Sequence, residues 1–268
     1  MSSFGIKTDK ILYHHNVSDD PNKKDFSNHT HEEAELYMFL GGKAVFHVEG
    51  TEYELHPGDV LIMRPAESHY VEPGSELPYD RIAIQFPLDL FREFDPDGLL
   101  ELPFLNHRAG VNNLYPQSSF AKDLKYTYFD RLEEPNGERF ILPVLFSVLT
   151  EISIAFNQDK IAPKSRETAE RQWIRYINEH LDTNMTLYSL ANRFYISPST
   201  LERRFKKATG TTVAQYLNIK RLMKARVLLQ HGSRPTEIFR DVGFSDYSAF
   251  YRAYRKKFGI SPNKEFTA

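Results

Sequence analysis

One feature constrains this chain more than any other: near its C-terminus a short helix, a tight turn and a basic helix occur in that order, twice. Residues 186–210 read TLYSLANRFYISPSTLERRFKKATG and residues 236–259 read TEIFRDVGFSDYSAFYRAYRKKFG. Ile238, Phe239 and Val242 stand 48 positions after Leu190, Ala191 and Phe194, and Phe250, Arg252, Tyr254 and Gly259 stand 49 after Leu201, Arg203, Phe205 and Gly210. The offset grows by one residue in the turn. Such a doubled helix-turn-helix demands a small all-α domain in which each unit buries one apolar stripe.

The local signals agree with that pattern. Thr186 is a cap for the first short helix, and Ser197 with Pro198 supplies a cap and a first-turn proline for the next. Leu201 and Phe205, four apart, face inward, which predicts an outward surface of Ser199, Glu202, Arg203 and Lys206; Tyr247, Ser248, Tyr251 and Arg252 are the counterparts in the second unit. Residues near the start of such a helix reach base edges, and later basic ones meet phosphate. A preceding helix is predicted over 167–181, with Trp173, Ile174, Ile177 and Leu181 on one face. A longer one over 213–230 spans about 27 Å, enough to hold two recognition helices about 34 Å apart, one duplex turn.

Charge divides the chain in the same place. Residues 166–268 hold 19 Lys and Arg against 9 Asp and Glu, a formal +10, which leaves −12 on residues 1–165 and hides behind a total of −2. The basic half is where a polyanion would bind.

The N-terminal half has another grammar. Between residues 33 and 86, apolar runs of three to six residues alternate with turn signals such as Gly41-Gly42, Glu49-Gly50 and Pro57-Gly58-Asp59. This spacing predicts an antiparallel β-barrel or sandwich. Helices are predicted over 120–132 and 142–156, the second with Pro143 in its first turn and an apolar stripe (Leu142, Leu145, Leu149, Ile152, Phe156) broad enough to meet either the barrel or a second subunit. Polar residues 157–167 predict the linker. The fold class is therefore α+β in two domains: 1–160, a barrel with flanking helices for effector binding and dimerisation, and 161–268, the doubled helix-turn-helix.

His29, His31, Glu35 and Gly42 have the spacing of the first cupin motif, and Gly58-Asp59, Pro65 and His69 resemble the second. The resemblance implies that the three imidazoles and one carboxylate converge, a donor set suited to a divalent transition ion. The expectation is a metal-free pocket, with no cofactor, in which His29, His31, Glu35, Tyr37 and His69 hydrogen-bond an effector; a divalent ion on His29, His31, Glu35 and His69 and a purely structural role are the alternatives. A metal-dependent cupin enzyme is the rival function.

Residues 170–266 resemble the DNA-binding domain of AraC/XylS-family transcription regulators. The resemblance rests on Ile238, Val242-Gly243-Phe244-Ser245-Asp246, Phe250-Tyr251-Arg252, and Lys256 through Pro262, with Arg221, Ala225 and Leu228-Leu229 in the connecting helix. It implies a regulator rather than an enzyme, with no catalytic residues. The implied partners are double-stranded DNA, a small-molecule effector (a sugar or related metabolite), a second copy of the chain and RNA polymerase. Tyr195 stands where the first turn usually has glycine, Phe239 where the second unit usually has alanine, and Lys264-Glu265 replaces an aromatic-arginine ending. With no cysteine there is neither disulfide nor thiolate metal site, which fits a reducing compartment. The polar N-terminus lacks a signal pattern, and the longest apolar stretch, 140–156, contains Pro143 and Glu151, so no membrane partner and a cytoplasmic location are expected.

Overall fold

Strands of four to eight residues that are buried on both faces need a layer on each side, and the N-terminal half supplies both. The computed structural model describes all residues except 1, 22–25, 27, 75–77, 106–109, 159–167, 231 and 267–268. The chain forms two compact units, 1–166 and 167–268. The boundary falls six residues beyond the expected one, and most of the predicted linker lies outside the described residues.

In the first unit, β1 (Ser2–Lys7), β2 (Leu12–Ser18), β3 (Ala34–Gly41), β6 (Val60–Met63), β8 (Tyr79–Phe86) and β9 (Leu114–Tyr115) make a sheet in the order β1-β2-β8-β3-β6-β9. A second sheet has the order β5-β4-β7, from β4 (Ala44–Val48), β5 (Thr51–Leu55) and β7 (His69–Pro73). All pairings are antiparallel. Glu49 and Gly50 both take positive φ, 50° and 75°, as a two-residue hairpin turn between β4 and β5 requires. The predicted strands are all present. β1 and β2 were not expected, because the polar run His14-His15-Asn16 carries no apolar alternation and β2 earns its place by pairing with β8 over seven residues.

β3 shows why the sheet holds two cores. Tyr37 and Phe39 join Phe46, Tyr53, Leu61 and Val71 between the sheets, while Leu36 and Met38 join Ile62, Ile82 and Ile84 on the opposite face. That outer face is covered by α2 (Ile141–Asn157), which buries Val144, Leu145, Val148, Leu149 and Ile152; a four-residue helix, α1 (Leu102–Leu105), precedes it. Residues 137–157 are long and apolar enough for a membrane span, but the helix spends its apolar face on the sheet. Leu142 differs from the rest of the expected stripe: it is 47% exposed, and with Phe146 (37%) and Ile154 (47%) it forms an apolar outer face. The predicted helix over 120–132 is also altered. It is a π-helical turn at Lys125–Phe129 running into a 3₁₀ turn at Asp130–Glu133, which bury Phe129 and Leu132.

The second unit is all helical: α3 (Ala169–Glu179), α4 (Leu187–Arg193), α5 (Pro198–Thr209), α6 (Val213–Gln230), α7 (Pro235–Asp241), α8 (Tyr247–Phe258) and α9 (Pro262–Phe266). α6 is shared between two cores. Its N-terminal half gives Val213, Tyr216 and Leu217 to a cluster with Trp173, Ile177, Leu190, Leu201 and Phe205. Its C-terminal half gives Leu222, Ala225 and Leu229 to one with Ile238, Val242, Phe250 and Tyr254. Within this unit one helix thereby joins the two helix-turn-helix halves.

Candidate nucleic-acid interface and effector pocket

The first helix-turn-helix is built by its caps. The Thr186 hydroxyl accepts from Ser189 N and the Ser189 hydroxyl accepts from Thr186 N, closing a capping box on α4. Ser197 caps α5 by accepting from Thr200 N, with Pro198 at the first helical position. Leu201 and Phe205 are fully buried, so Ser199, Arg203 and Lys206 stand exposed on the other side as expected. Arg204 is used differently: its Nε donates to Glu170 Oε1 at 2.6 Å and its guanidinium lies over the Trp173 ring, which fastens α5 to α3.

Glu202 departs from its expected outward position. It is only half-exposed, and its carboxylate accepts from Val213 N at 3.2 Å, on one of the free N–H groups that open α6. Thr212 and Gln215 cap the same end reciprocally. The carboxylate is thus spent on a helix start, where the helix dipole favours it.

In the second unit Asp246 caps α8 by accepting from Ala249 N at 2.7 Å. Ser248 and Arg252 are exposed and Tyr251 is half-exposed. Tyr247, expected outward, is half-buried: its ring packs against Phe239 and Phe250, and its hydroxyl donates to Asn263 Oδ1 at 3.4 Å. The bulky Phe239 is accommodated by this contact. Arg255, Lys256 and Lys257 extend the exposed basic edge at the end of α8.

The two turns differ as their sequences do. Gly243 has φ +93°, and a Cβ there would sit 2.1 Å from Leu181 O and 2.6 Å from Arg221 Nε. Arg221 needs that space to donate to Leu181 O (2.8 Å) and Thr183 O (2.7 Å). Tyr195, at the matching point of the first turn, also takes positive φ, 53°, but its ring is 98% exposed and meets no such crowding.

Glu265, in the departing C-terminal segment, is 7% exposed and accepts from Arg226 Nε, Gln230 Nε2 and Tyr254 Oη. It locks α9 across α6 and α8, a role with no sequence signal beyond an out-of-place carboxylate.

In the barrel, His29, His31, Glu35 and His69 each aim a ligand atom into one point; these atoms lie within 4.8 Å of one another. His29 and His69 are joined by a two-way backbone bridge at 3.1 Å, while Glu35 comes from β3. His31 Nδ1 donates to Glu33 O and His69 Nδ1 donates to Glu67 O, both at 2.8 Å, so in the neutral form each ring turns its Nε2 lone pair inward. His31 Nε2 lies 2.9 Å from Glu35 Oε2, which also accepts from Gln85 Nε2 at 2.9 Å. His69 Nε2 is buried without a hydrogen-bond partner, 4.0 Å from the same oxygen.

The electrostatics follow. Burial works against the charge of Glu35, but the hydrogen bond from His31 holds its carboxyl down to about 2. Burial opposes the charged form of His31 too, yet the Glu35 contact raises it. Burial pushes His69 down to about 4, so it stays neutral. Imidazoles locked by Nδ1 donation to a carbonyl, beside one ionised carboxylate, are a donor set that could hold a divalent transition ion. Tyr37 is buried deeper in the barrel with its hydroxyl against that of Tyr79. Gln85 and Arg81 also line the interior. Neither was marked from sequence, although the alternation of β8 (Tyr79, Arg81, Ala83, Gln85 on one face) is a signal that finds both.

A β domain holding a cluster of three histidines and a glutamate, followed by a doubled basic helix-turn-helix, defines a ligand-responsive DNA-binding transcription regulator. The AraC-like ligand binding domain family matches residues 17–113 and a helix-turn-helix domain family matches residues 190–267. Relatives include the HTH-type transcriptional activator RhaS of Escherichia fergusonii, 26% identical over 256 residues (89% of this chain, 87% of the relative), and that of Escherichia coli O6:H1, 27% identical over 256 residues (89% and 86%). Among solved structures, the C-terminal domain of AraT, a response regulator from Geobacillus stearothermophilus, is 32% identical, covers 38% of this chain and 88% of its own, and gives a TM-score of 0.37. The chain belongs to the AraC-type transcription regulators. That family is one of regulators and not of enzymes, which decides against the metal-dependent enzyme alternative.

Proposed function

We propose that the barrel senses a sugar or related metabolite through His29, His31, Glu35, Tyr37 and His69, with a divalent transition ion held by the three histidines and Glu35. The observation that carries this is His69 Nε2: a buried lone pair, aimed at a carboxylate, with no hydrogen-bond partner. A cation would satisfy that nitrogen, His29, His31 and Glu35 together, and hold ligand oxygens at its open positions. Ser199, Arg203 and Lys206 of α5, with Ser248, Tyr251 and Arg252 of α8, are the DNA-contacting set. The first unit carries more of the base readout, and the second leans on phosphate and shape. Glu202 acts by holding the start of α6 and Tyr247 by bracing α8. The chain works in the cytoplasm as a homodimer, supported by the apolar outer face of α2 at Leu142, Phe146 and Ile154, and engages RNA polymerase at its promoters.

The test uses the full chain stripped with chelator and titrated with cobalt(II). Visible absorption of a coordinated ion should appear in the wild type and vanish in His69→Gln. Duplexes selected from a random pool are then bound with and without a panel of sugars. Absence of cobalt absorption removes the metal, and sugar-independent binding across the panel removes the effector class.

A further inference from the structure

The face of β8 that lines the barrel carries a charge the effector reading does not use. Tyr79 and Ala83 belong to the core between the sheets, whereas Ile82 and Ile84 belong to the outer core, so Arg81 points inward with Tyr79. Its guanidinium carbon lies 4.6 Å from the Tyr79 ring centre and 4.9 Å from that of Phe26. The two rings stand nearly perpendicular, at 89° with centres 5.4 Å apart, and both pack against the cation. Nη1 is buried with no hydrogen-bond partner, and among the described residues no carboxylate pairs with the group.

Arg81 as a whole is half-buried, but a guanidinium nitrogen removed from water without an acceptor is a cost to the fold. Tyr79 and Phe26 position it but can accept no N–H from it in plane. The missing partner is an anionic oxygen from outside the protein, because a planar fork of N–H donors matches a carboxylate or phosphate edge.

We infer that the effector is an acid: a polyhydroxylated molecule whose carboxylate or phosphate is held by Arg81 while its hydroxyls face the His29, His31, Glu35 and His69 cluster. Arg81 and Gln85, which donates to Glu35, lie four residues apart on the same face of β8, about 13 Å along the strand. That span sets the ligand's scale at a small carbohydrate acid and not at a long-chain lipid. Between the two poles the Tyr37 and Tyr79 hydroxyls touch each other. Burial raises both phenols, Tyr79 to about 12, and Tyr37 pairs with Ala83, midway between Arg81 and Gln85 on β8. Two neutral hydroxyls there suit the uncharged middle of such a ligand.

This inference rests on the barrel being the effector pocket, and the test separates the two. Full-length protein is melted with matched pairs at constant ionic strength: glucose against glucuronate and gluconate, galactose against galacturonate, and each hexose against its phosphate. At least one acid should raise the midpoint where its neutral partner does not, and carboxylate against phosphate shifts tell the two anions apart. Arg81→Met should abolish that shift, Arg81→Lys should retain part of it, and unliganded Arg81→Met should melt no lower than wild type, since it loses a half-buried charge with an unsatisfied nitrogen. A purely structural arginine would lower the unliganded midpoint instead, which overturns the assignment. Neutral sugars that stabilise wild type and Arg81→Met equally overturn the acid while leaving the pocket intact. No shift from any pair, with folded protein, overturns both.

Discussion

The two turns make a paired prediction. In Gly243→Ala the new methyl would occupy space 2.1 Å from Leu181 O and 2.6 Å from Arg221 Nε, at a backbone φ of +93°. Holding a non-glycine residue in a left-handed conformation costs about 1–2 kcal/mol, and an extra methyl in a packed site about 1–3 kcal/mol. If Arg221 moves to make room, it gives up hydrogen bonds to Leu181 O and Thr183 O, each worth about 1.5–3 kcal/mol for a charged donor. Relaxation trades one loss against another, so the expected total is about 3–5 kcal/mol, a large part of the stability of a domain this size. Tyr195→Gly at the matching turn is the control. It relieves the same backbone strain, loses no packing because the ring is 98% exposed, and gives back about 0.5–1 kcal/mol in unfolded-chain entropy, for a net change within about 1 kcal/mol. Urea unfolding followed by the emission of Trp173, the chain's single tryptophan and 2% exposed in the first helical core, reports on this domain alone. A Gly243→Ala midpoint within about 1 kcal/mol of wild type, or a Tyr195→Gly loss as large as the glycine's, would refute the reasoning.

Three other outcomes are expected. Glu265→Ala strands Arg226, Gln230 and Tyr254 and should cost about 3 kcal/mol in the same Trp173 assay. Arg203→Ala should lower the ratio of target to random duplex binding by about 1–3 kcal/mol, whereas Lys206→Ala should weaken both alike and flatten the salt dependence, as read by fluorescence anisotropy. His15 donates to Asp80 at 2.9 Å and to Glu133 at 2.6 Å; the Asp80 bond above all raises its pKa against the opposing effect of burial. A raised folded value means this stabilisation is complete below the ordinary histidine value of about 6.5 and is lost as pH rises through the folded value. The barrel's thermal midpoint should therefore fall with rising pH across that window, and His15→Gln should flatten the profile in circular dichroism.

The sequence alone determined whatever depends on near neighbours along the chain. Caps at Thr186 and Ser197, the Glu49-Gly50 hairpin, the i, i+4 stripe of Leu201 and Phe205 and the repeat itself are local patterns, written within a turn or two of backbone. The His29, His31, Glu35 and His69 constellation was legible as spacing, but its closure depends on a strand pairing that brings residue 69 beside residue 29. What only the tertiary structure decided is where each polar group finds its partner. Glu202 reads as a base contact from helix periodicity and turns out to hold Val213 N, eleven residues away, because the next helix happens to start there. β2 is polar by composition and a strand by virtue of β8. Glu265 is a surface residue by type and a buried three-way acceptor by position, and Arg81 is an ordinary strand charge until two rings close over it. Hydrogen bonding and burial are satisfied by whatever the fold brings near, and that is set by contacts far apart in the chain.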